Sequence, residues 1–229
     1  MDQLLTFDRQ ITLLLNGSNS SFMDFFILQA TATVTWIPIG LLCLWIIYKS
    51  TSLTNLLIVV FFLAMCIIIS DQTSCALFKP LFKRFRPTHD PTIASLIDVV
   101  NNYRGGRYGF FSAHASNTLT VAIFFCRIFR HKLVTWLFIS WVLLNCYTRV
   151  YLGVHFFGDI VVGLCFGLLW GHLLSWLYGR YFEPRPYKTK LYACTSSGYR
   201  IYDMKIISIA IITTYIAILI IAYVWSLLI

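Results

Sequence analysis

Charged residues are scarce in this sequence of 229 residues: they make up 12% of the chain, with nine acidic side chains against eighteen lysines and arginines. Hydrophobic residues make up 59%, and the mean hydropathy is +0.75. A soluble globular domain carries roughly 25% charged residues. The composition therefore excludes an ordinary soluble domain and predicts an integral membrane protein.

Internal repeats and low-complexity tracts are also missing, so we expect one domain over residues 1–229. Without repeats there is no sign of the inverted halves that many transporters have. Residues 1–16 lack the positive leading region and the small-residue cleavage site of a signal peptide. They are largely apolar, interrupted by Asp2, Asp8 and Arg9, and we expect an amphipathic helix that lies on the membrane surface.

Two kinds of partner are excluded by what is absent. No stretch combines basic and aromatic residues in the manner of a nucleic-acid module, so the net charge of +9 is expected to meet anionic lipid headgroups. The seven cysteines have no metal-ligand spacing, and six of them lie in predicted membrane spans, which predicts free thiols. No metal, cofactor, nucleic acid or obligatory protein partner is expected.

Long apolar runs, in contrast, are abundant. Six are near or above the twenty or so residues that cross a bilayer, or can be extended to that length, and none alternates like a barrel strand. The predicted spans are residues 22–47, 53–78, 116–129, 133–152, 156–178 and 206–228. The predicted fold class is therefore all-α: a polytopic bundle of six transmembrane helices, with longer polar stretches at residues 79–111 and 180–205.

The basic residues predict the orientation of this bundle. With six spans, the polar stretch 79–111 and the junction of spans four and five share one face, which has few further basic residues. The opposite face carries Lys49, Arg127, Arg130, Lys132, Arg180, Arg185, Lys188, Lys190, Arg200 and Lys205. Lys and Arg accumulate in cytoplasmic loops, so stretch 180–205 is expected in the cytoplasm and stretch 79–111 outside. In a bacterium this is the periplasmic face of the inner membrane.

Three clusters of reactive side chains fall on this outward face. They are Lys79 with Arg86-Pro87, Ser112-Ala113-His114, and Thr148-Arg149 followed by His155 and Asp159. Guanidinium and ammonium groups bind phosphate oxygens, and a helix that begins at the second cluster favours an anion at its N-terminus. The alternatives to a phosphate site are basic side chains that extend to the lipid headgroups and a Ser that only caps a helix.

His155 and Asp159 are one helical turn apart, so the carboxylate can accept a hydrogen bond from one ring nitrogen and leave the other bare. A neutral imidazole held in this way is a nucleophile for phosphorus, and His114 can protonate the leaving oxygen. The clusters together predict cleavage of a P–O bond without metal. The alternative for His155 is an interfacial residue that ends a span.

The order and spacing of the clusters resemble the three-part signature of the type 2 phosphatidic acid phosphatase superfamily, whose membrane members have six spans. The resemblance implies that His155 forms a phosphohistidine, that Asp159 orients it and that His114 is the general acid. It also implies a phosphate site that needs no metal, formed by Lys79, Arg86, Ser112, Ala113 and Arg149.

Three positions depart from the family pattern. Phe111 and Ala113 replace the usual Pro and Gly of the second motif, and Thr148 replaces the usual Ser of the third. A Cβ is strained where a turn needs positive φ, so either Ala113 carries some strain or the turn has a different shape here.

The stretch before the second cluster is expected to select the substrate. His89, Tyr103, Arg104 and Arg107 are candidates for binding a headgroup, and the alternative is a solvated loop. The run from Tyr103 to Gly109, with the second cluster, is similar to a lipid A 4′-phosphatase-like branch of the superfamily. A membrane lipid phosphate is thus the expected substrate. Undecaprenyl diphosphate and phosphatidylglycerophosphate are the competing substrates, and binding or transport of an anionic lipid without cleavage is the alternative of another class.

Overall fold

The structure is a computed structural model that describes residues 2–183 and 193–228. Within these ranges the chain is helical and has no β-strand. The α-helices are α1 (Asp2–Leu15), α2 (Ser21–Thr31), α3 (Thr33–Ser50), α4 (Leu53–Gln72), α5 (Lys79–Phe82), α6 (Ala113–Phe129), α7 (Lys132–Tyr151), α8 (Phe157–Tyr181) and α9 (Ile201–Ser226). The predicted all-α class is confirmed.

Five helical stretches in this part of the chain are long and apolar enough to cross a membrane. They are α3, α7, α8, α9 and a 30-residue stretch in which α4 continues through a π-helical segment, Thr73–Phe78, into α5. These are the helices of a multi-pass membrane protein. Helix α6 has 17 residues, about 25 Å, and is not among the five.

The prediction of one continuous span over residues 22–47 is wrong. The chain leaves the helix at Ala32, which is extended (φ −69°, ψ 121°), and the segment forms α2 and α3. Four of the five residues 31–35 are β-branched, which lowers helix propensity. Two side chains donate hydrogen bonds to backbone carbonyl oxygens just before the break. Thr35 Oγ1 donates to Gln29 O at 2.9 Å, and Trp36 Nε1 donates to Ala30 O at 2.8 Å.

Polar contacts at one end of the bundle join the last turn of α3 to the first turn of α9, and the end of α6 to Glu183, which follows α8. Lys49 Nζ lies 2.8 Å from the buried Asp203 carboxylate, and both Arg127 and Arg130 pair with Glu183. At the other end, Tyr151 at the close of α7 donates to Asp24 of α2 at 2.7 Å. The starts of α6 and α8 lie at this second end, so the predicted clusters share it.

The predicted stretch 180–205 lies only partly within the described residues. Positions 184–192, which include Arg185, Lys188 and Lys190, fall outside them. Beyond that gap a turn links Thr195 N to Tyr199 O at 2.7 Å, and Ser197 Oγ donates to Phe129 O at 3.0 Å. The turn is therefore attached to the end of α6.

Helices α6 and α8 pack closely because glycines recur at every fourth position of α8. A Cβ on Gly163 would lie 2.6 Å from Ser112 O, one on Gly167 2.9 Å from Leu119 Cβ, and one on Gly171 2.8 Å from Ile123 Cδ1. Small residues at such spacing let two helix backbones approach in a membrane. This contact matters because α6 begins at the second cluster and α8 follows directly after His155.

Gly163→Ala is expected to destabilise the protein by about 1–3 kcal/mol, the cost of overpacking against a backbone carbonyl that cannot rotate away. Thermal unfolding of the detergent-purified protein measures the change. Gly40→Ala is the matched control, since a Cβ there has no described atom within 4 Å. Equal melting temperatures for the two variants would contradict the close α6–α8 contact.

Candidate active site

The third cluster is held by a tight turn between α7 and α8. Gly153 takes the left-handed conformation (φ +64°), and the N–H groups of Val154 and His155 both donate to Arg149 O, at 3.1 and 3.3 Å. Arg149, His155 and Asp159 are all nearly inaccessible to solvent, exposed by 3%, 3% and 0%. Burial of three ionisable side chains in one turn is costly unless they compensate one another.

The Asp159 carboxylate has three neighbours. Its Oδ1 accepts from Arg84 Nη1 at 2.8 Å, and its Oδ2 accepts from Phe156 N at 3.1 Å. His155 Nδ1 is 3.4 Å from Oδ2, an electrostatic contact without hydrogen-bond geometry, and this nitrogen has no hydrogen-bond partner among the described residues. The expected pairing of His155 with Asp159 is thus present as a contact, while the carboxylate makes its hydrogen bonds to other groups.

Arg84 is the functional residue that the sequence analysis missed. Its second guanidinium nitrogen, Nη2, binds the Asp8 carboxylate, so one side chain bridges Asp8 and Asp159. The guanidinium also lies 4.2 Å from the centroid of the Phe156 ring. The only sequence signal was its position two residues before Arg86.

Helix α1 is attached to the site through the start of α8. Asp8 Oδ1 accepts from Gly158 N at 2.7 Å, and Thr12 Oγ1 accepts from Phe157 N at 3.1 Å. The first N–H groups of a helix have no partner within the helix, and here α1 supplies it. Arg9 adds a longer contact to Asp90, at 3.8 Å. Asp8 and Arg9, two of the charges that interrupt residues 1–16, therefore face the protein.

Several cations surround His155. Burial is the largest influence on this ring and lowers its pKa well below the usual value, and the charges of Arg86, Arg149 and Lys79 lower it further, as does His114. The Arg84 cation offsets the Asp159 charge that would otherwise favour an imidazolium. His155 is therefore neutral at neutral pH, with Nδ1 toward Asp159 and Nε2 as its other ring nitrogen.

Two backbone carbonyl groups hold Arg86. Its Nε donates to Tyr108 O at 3.2 Å and its Nη1 to Val154 O at 3.3 Å. A Cβ on Gly105, which has φ +65°, would lie 2.7 Å from Arg86 Nη1. Burial, followed by the charge of Arg149, lowers the pKa of Arg86. Two cations are thus kept close together, an arrangement that an anion would stabilise.

Gly109 lies against the ion cluster, which consists of Arg84, Arg86, Arg149, His155 and Asp159. A Cβ there would be 3.0 Å from Asp159 Oδ2, 3.1 Å from Arg86 Cγ and 3.5 Å from His155 Nδ1. Gly109→Ala is expected to lower kcat/KM by about tenfold, because displacements below 1 Å in a catalytic site are costly. Gly106→Ala, whose Cβ would have no described atom within 4 Å, should change it less than twofold by the same argument. Equal effects in a steady-state phosphate-release assay would contradict the contact.

The second cluster begins α6. Ser112 is the N-cap: its Oγ accepts from Ala115 N at 3.3 Å, and its own N–H donates to Asp159 O at 3.0 Å. Ala113 is the first residue of the helix and has no positive φ, so its Cβ causes no strain and the turn differs in shape from the one expected. His114 follows in the first turn, close enough to perturb the titration of His155.

Arg149 and Lys79 are anchored by neighbours that the sequence did not indicate. Arg149 Nη1 donates to Thr31 Oγ1 at 2.7 Å and Nη2 to Tyr103 OH at 3.0 Å. Lys79 Nζ lies 3.2 Å from Cys75 Sγ, one turn earlier. Tyr103, expected to meet a headgroup, is thus in contact with a cation of the site.

The other loop residues lie further out. Arg104 is exposed; its Nη1 donates to Thr88 O at 3.3 Å, and its carbonyl oxygen accepts from Thr88 Oγ1 at 2.9 Å. Thr88 Oγ1 also lies 3.1 Å from His89 Nδ1. Arg107 is exposed as well and lies 5.1 Å from the centroid of the Phe85 ring. In residues 2–183 and 193–228, no group of three or more His, Cys, Asp or Glu side chains is suitably placed to hold a metal ion.

Comparison with known proteins places this arrangement in a family. The model of the PAP2 superfamily matches residues 55–183, a segment that contains all three clusters. The chain belongs to the PAP2 superfamily. The predicted family membership is confirmed, and the motifs of this PAP2 protein lie at the start of α6, at the end of α7 and around α5.

Two curated relatives of this PAP2 protein are similar over most of their length. A protein of Porphyromonas gingivalis named Lipid A 4'-phosphatase is 38% identical over 178 residues, which are 78% of this chain and 75% of the relative. A protein of Bacteroides thetaiotaomicron with the same name is 36% identical over 171 residues, 74% of this chain and 76% of the relative. No solved structure matches the chain.

Proposed function

We propose that this PAP2 protein is a membrane lipid phosphatase that removes the 4′-phosphate of lipid A through a phosphohistidine at His155. Two relatives named Lipid A 4'-phosphatase, similar over about three quarters of the chain, support the substrate. The observation that carries the chemistry is a buried His155 that contacts Asp159 and is surrounded by cations from separate segments. No metal or cofactor has a role in this proposal.

In the first step, Nε2 of His155 attacks phosphorus, the N–P bond forms and the P–O bond to the sugar breaks. Arg86, Arg149 and Lys79 neutralise the phosphate oxygens, with the Ser112 end of α6 as a further donor. His114 protonates the leaving oxygen. In the second step, His114, now deprotonated, takes a proton from the water that attacks phosphorus, the N–P bond breaks, and inorganic phosphate leaves.

Before substrate binds, Tyr103 and Thr31 hold the Arg149 guanidinium. Phosphate would compete for the same N–H groups, so we assign these two residues a positioning role. The Arg86 hydrogen bonds to two backbone carbonyls are at 3.2 and 3.3 Å, long enough to be exchanged for shorter charge-assisted bonds to phosphate.

The proposal includes the finer topology: one domain with six spans, formed by the five long helical stretches and by α6. Its 17 residues cover about 25 Å of a hydrocarbon core of roughly 30 Å, and Arg127 and Arg130 at its end can reach the headgroups. Helix α1 then lies at the outer surface, docked on α8. The basic residues at the opposite end favour an inner-membrane protein with its site toward the periplasm.

The direct test is release of inorganic phosphate by the purified protein from a panel of lipid phosphates in the presence of a chelator. Lipid A with a 4′-phosphate should be the best substrate, ahead of undecaprenyl diphosphate and phosphatidylglycerophosphate. A higher kcat/KM for either competitor would overturn the substrate. A strict divalent-metal requirement would overturn the mechanism, and binding of the lipids without any release would favour a transport protein.

Arg104 and Arg107 are expected to affect substrate preference more than chemistry, because both side chains are exposed and lie outside the ion cluster. Replacing both with Gln should lower kcat/KM for a lipid whose headgroup has a second phosphate or sugar. The expected loss corresponds to roughly 1–3 kcal/mol, the scale of charge-assisted hydrogen bonds. Hydrolysis of a small soluble phosphate ester should change little. Equal losses on both substrates would contradict this role.

A further inference from the structure

A cavity of about 380 Å³ runs beside α6 within the bundle. It is bordered by the end of α2 and by α3, α4, α6, α7 and α9, and most of its lining is apolar or aromatic. Five residues of α6 line it: His114, Asn117, Thr118, Val121 and Phe125. Eleven residues of helix correspond to about 16 Å, so the cavity is a slot that leads from His114 along the helix. Its volume is in the range of small-molecule sites, roughly 300–1,000 Å³.

The slot opens on the outer surface of the bundle. Ile37 of α3 and Ile67 of α4 line it, and their side chains are 48% and 49% exposed. In a membrane, that surface faces the hydrocarbon chains of lipids. A lipid can therefore enter sideways between α3 and α4, with its headgroup at the level of the site.

Asn117 and Trp141 line the slot, and each has a buried polar atom without a hydrogen-bond partner among the residues described: Asn117 Oδ1 and Trp141 Nε1. The neighbouring Trp36, also in the wall, has its N–H bonded to Ala30 O at 2.8 Å. An unpaired polar atom within the hydrocarbon region is costly, so such a pair suggests a ligand group. One atom is an acceptor and the other is a donor.

We propose that this slot binds one acyl chain of the substrate and selects a chain with a hydroxyl or secondary amide near the headgroup. Such a group donates and accepts, so it can satisfy both Asn117 and Trp141 after a small rotation of their side chains. An ester only accepts, and a prenyl chain does neither. The inference rests on the proposed function and deepens it, because it makes the lipid chain a second determinant besides the phosphate.

Filling the slot tests the first part. A Cβ on Gly40 has no described atom within 4 Å, and Gly40 lines the slot, so the Gly40→Leu side chain occupies its space. For Gly40→Leu, the ratio of kcat/KM for a long-chain acylated glucosamine phosphate to kcat/KM for p-nitrophenyl phosphate should fall about tenfold, since binding of several methylenes is lost. An unchanged ratio would overturn the slot as a chain site.

Three synthetic glucosamine phosphates test the second part: one with an amide-linked 3-hydroxyacyl chain, one with a plain amide-linked chain and one with a plain ester-linked chain. Wild-type protein should prefer each of the first two to the ester by about three- to tenfold, the scale of one or two neutral hydrogen bonds. Asn117→Leu and Trp141→Phe should reduce that preference to less than twofold.

Trp170→Phe is the matched control, because its Nε1 is likewise buried without a partner in the described residues but does not line the slot. It should keep the wild-type preference. A preference unchanged in Asn117→Leu and Trp141→Phe, or absent in the wild type, would overturn selection by these atoms. Failure of the wild type to release phosphate from every lipid would instead overturn the proposed function.

Discussion

His155→Ala is expected to abolish turnover and any acid-labile phosphoenzyme, because the side chain proposed to accept the phosphoryl group is removed. The loss should be at least about 10⁴-fold in kcat, the scale of removing a catalytic nucleophile. Substrate should still bind through Arg86, Arg149 and Lys79. Single-turnover assays with labelled lipid phosphate measure both quantities.

His114→Ala should behave differently, because only protonation of the leaving oxygen is lost. The variant should still bind substrate and form the phosphoenzyme slowly, with the defect shrinking as the leaving group improves. A series of phosphate esters with leaving groups of falling pKa gives the comparison. If His114→Ala lost activity equally with every leaving group, the role of general acid would be wrong.

Arg84→Gln is expected to have the second-largest effect. The Asp159 carboxylate is fully buried, and Arg84 is its ion-pair partner at 2.8 Å, so removal of the cation leaves a buried charge uncompensated. The cost of breaking such a pair is about 3 kcal/mol, which corresponds to more than about 100-fold if it falls on the catalytic geometry. Steady-state kcat/KM and thermal unfolding together measure the loss.

The pH profile distinguishes this effect from simple misfolding. Without Arg84, the buried His155–Asp159 pair binds a proton at higher pH. The protonated ring is not a nucleophile, and the acidic limb of kcat/KM therefore moves to higher pH. Lys83→Gln is the matched control: it removes a neighbouring cation that is exposed. Identical profiles for Arg84→Gln and Lys83→Gln would contradict the role of Arg84.

The part of the site that the sequence predicts consists of residues within short motifs. Helices of regular length bring the ends of spans to one face, and this places Lys79, Arg86 and Arg149 near His155. The spans themselves are predicted from apolar length. The ordered spacing from Lys79 to Asp159 was sufficient to indicate the family. These predictions depend on local patterns.

The part that the sequence did not predict depends on contacts between distant segments. Asp8 meets Arg84 and the start of α8 across 76 and 150 positions of the chain, and nothing in an amphipathic run of residues indicates such a partner. The sequence did not predict the break at Ala32 for a related reason. Apolarity predicts membrane burial but not helix continuity, and the side chains of Thr35 and Trp36 stabilise the break.

Rapid-quench trapping of the phosphorylated intermediate is the most direct measurement of the central proposal. Wild-type protein would be mixed with lipid A labelled at the 4′-phosphate, in the presence of a chelator, then quenched in base and digested for peptide mapping by mass spectrometry. The expected result is an acid-labile, base-stable phosphate on His155 that appears before inorganic phosphate is released. Phosphate on another side chain, or release of phosphate without any protein-bound intermediate, would contradict the phosphohistidine mechanism.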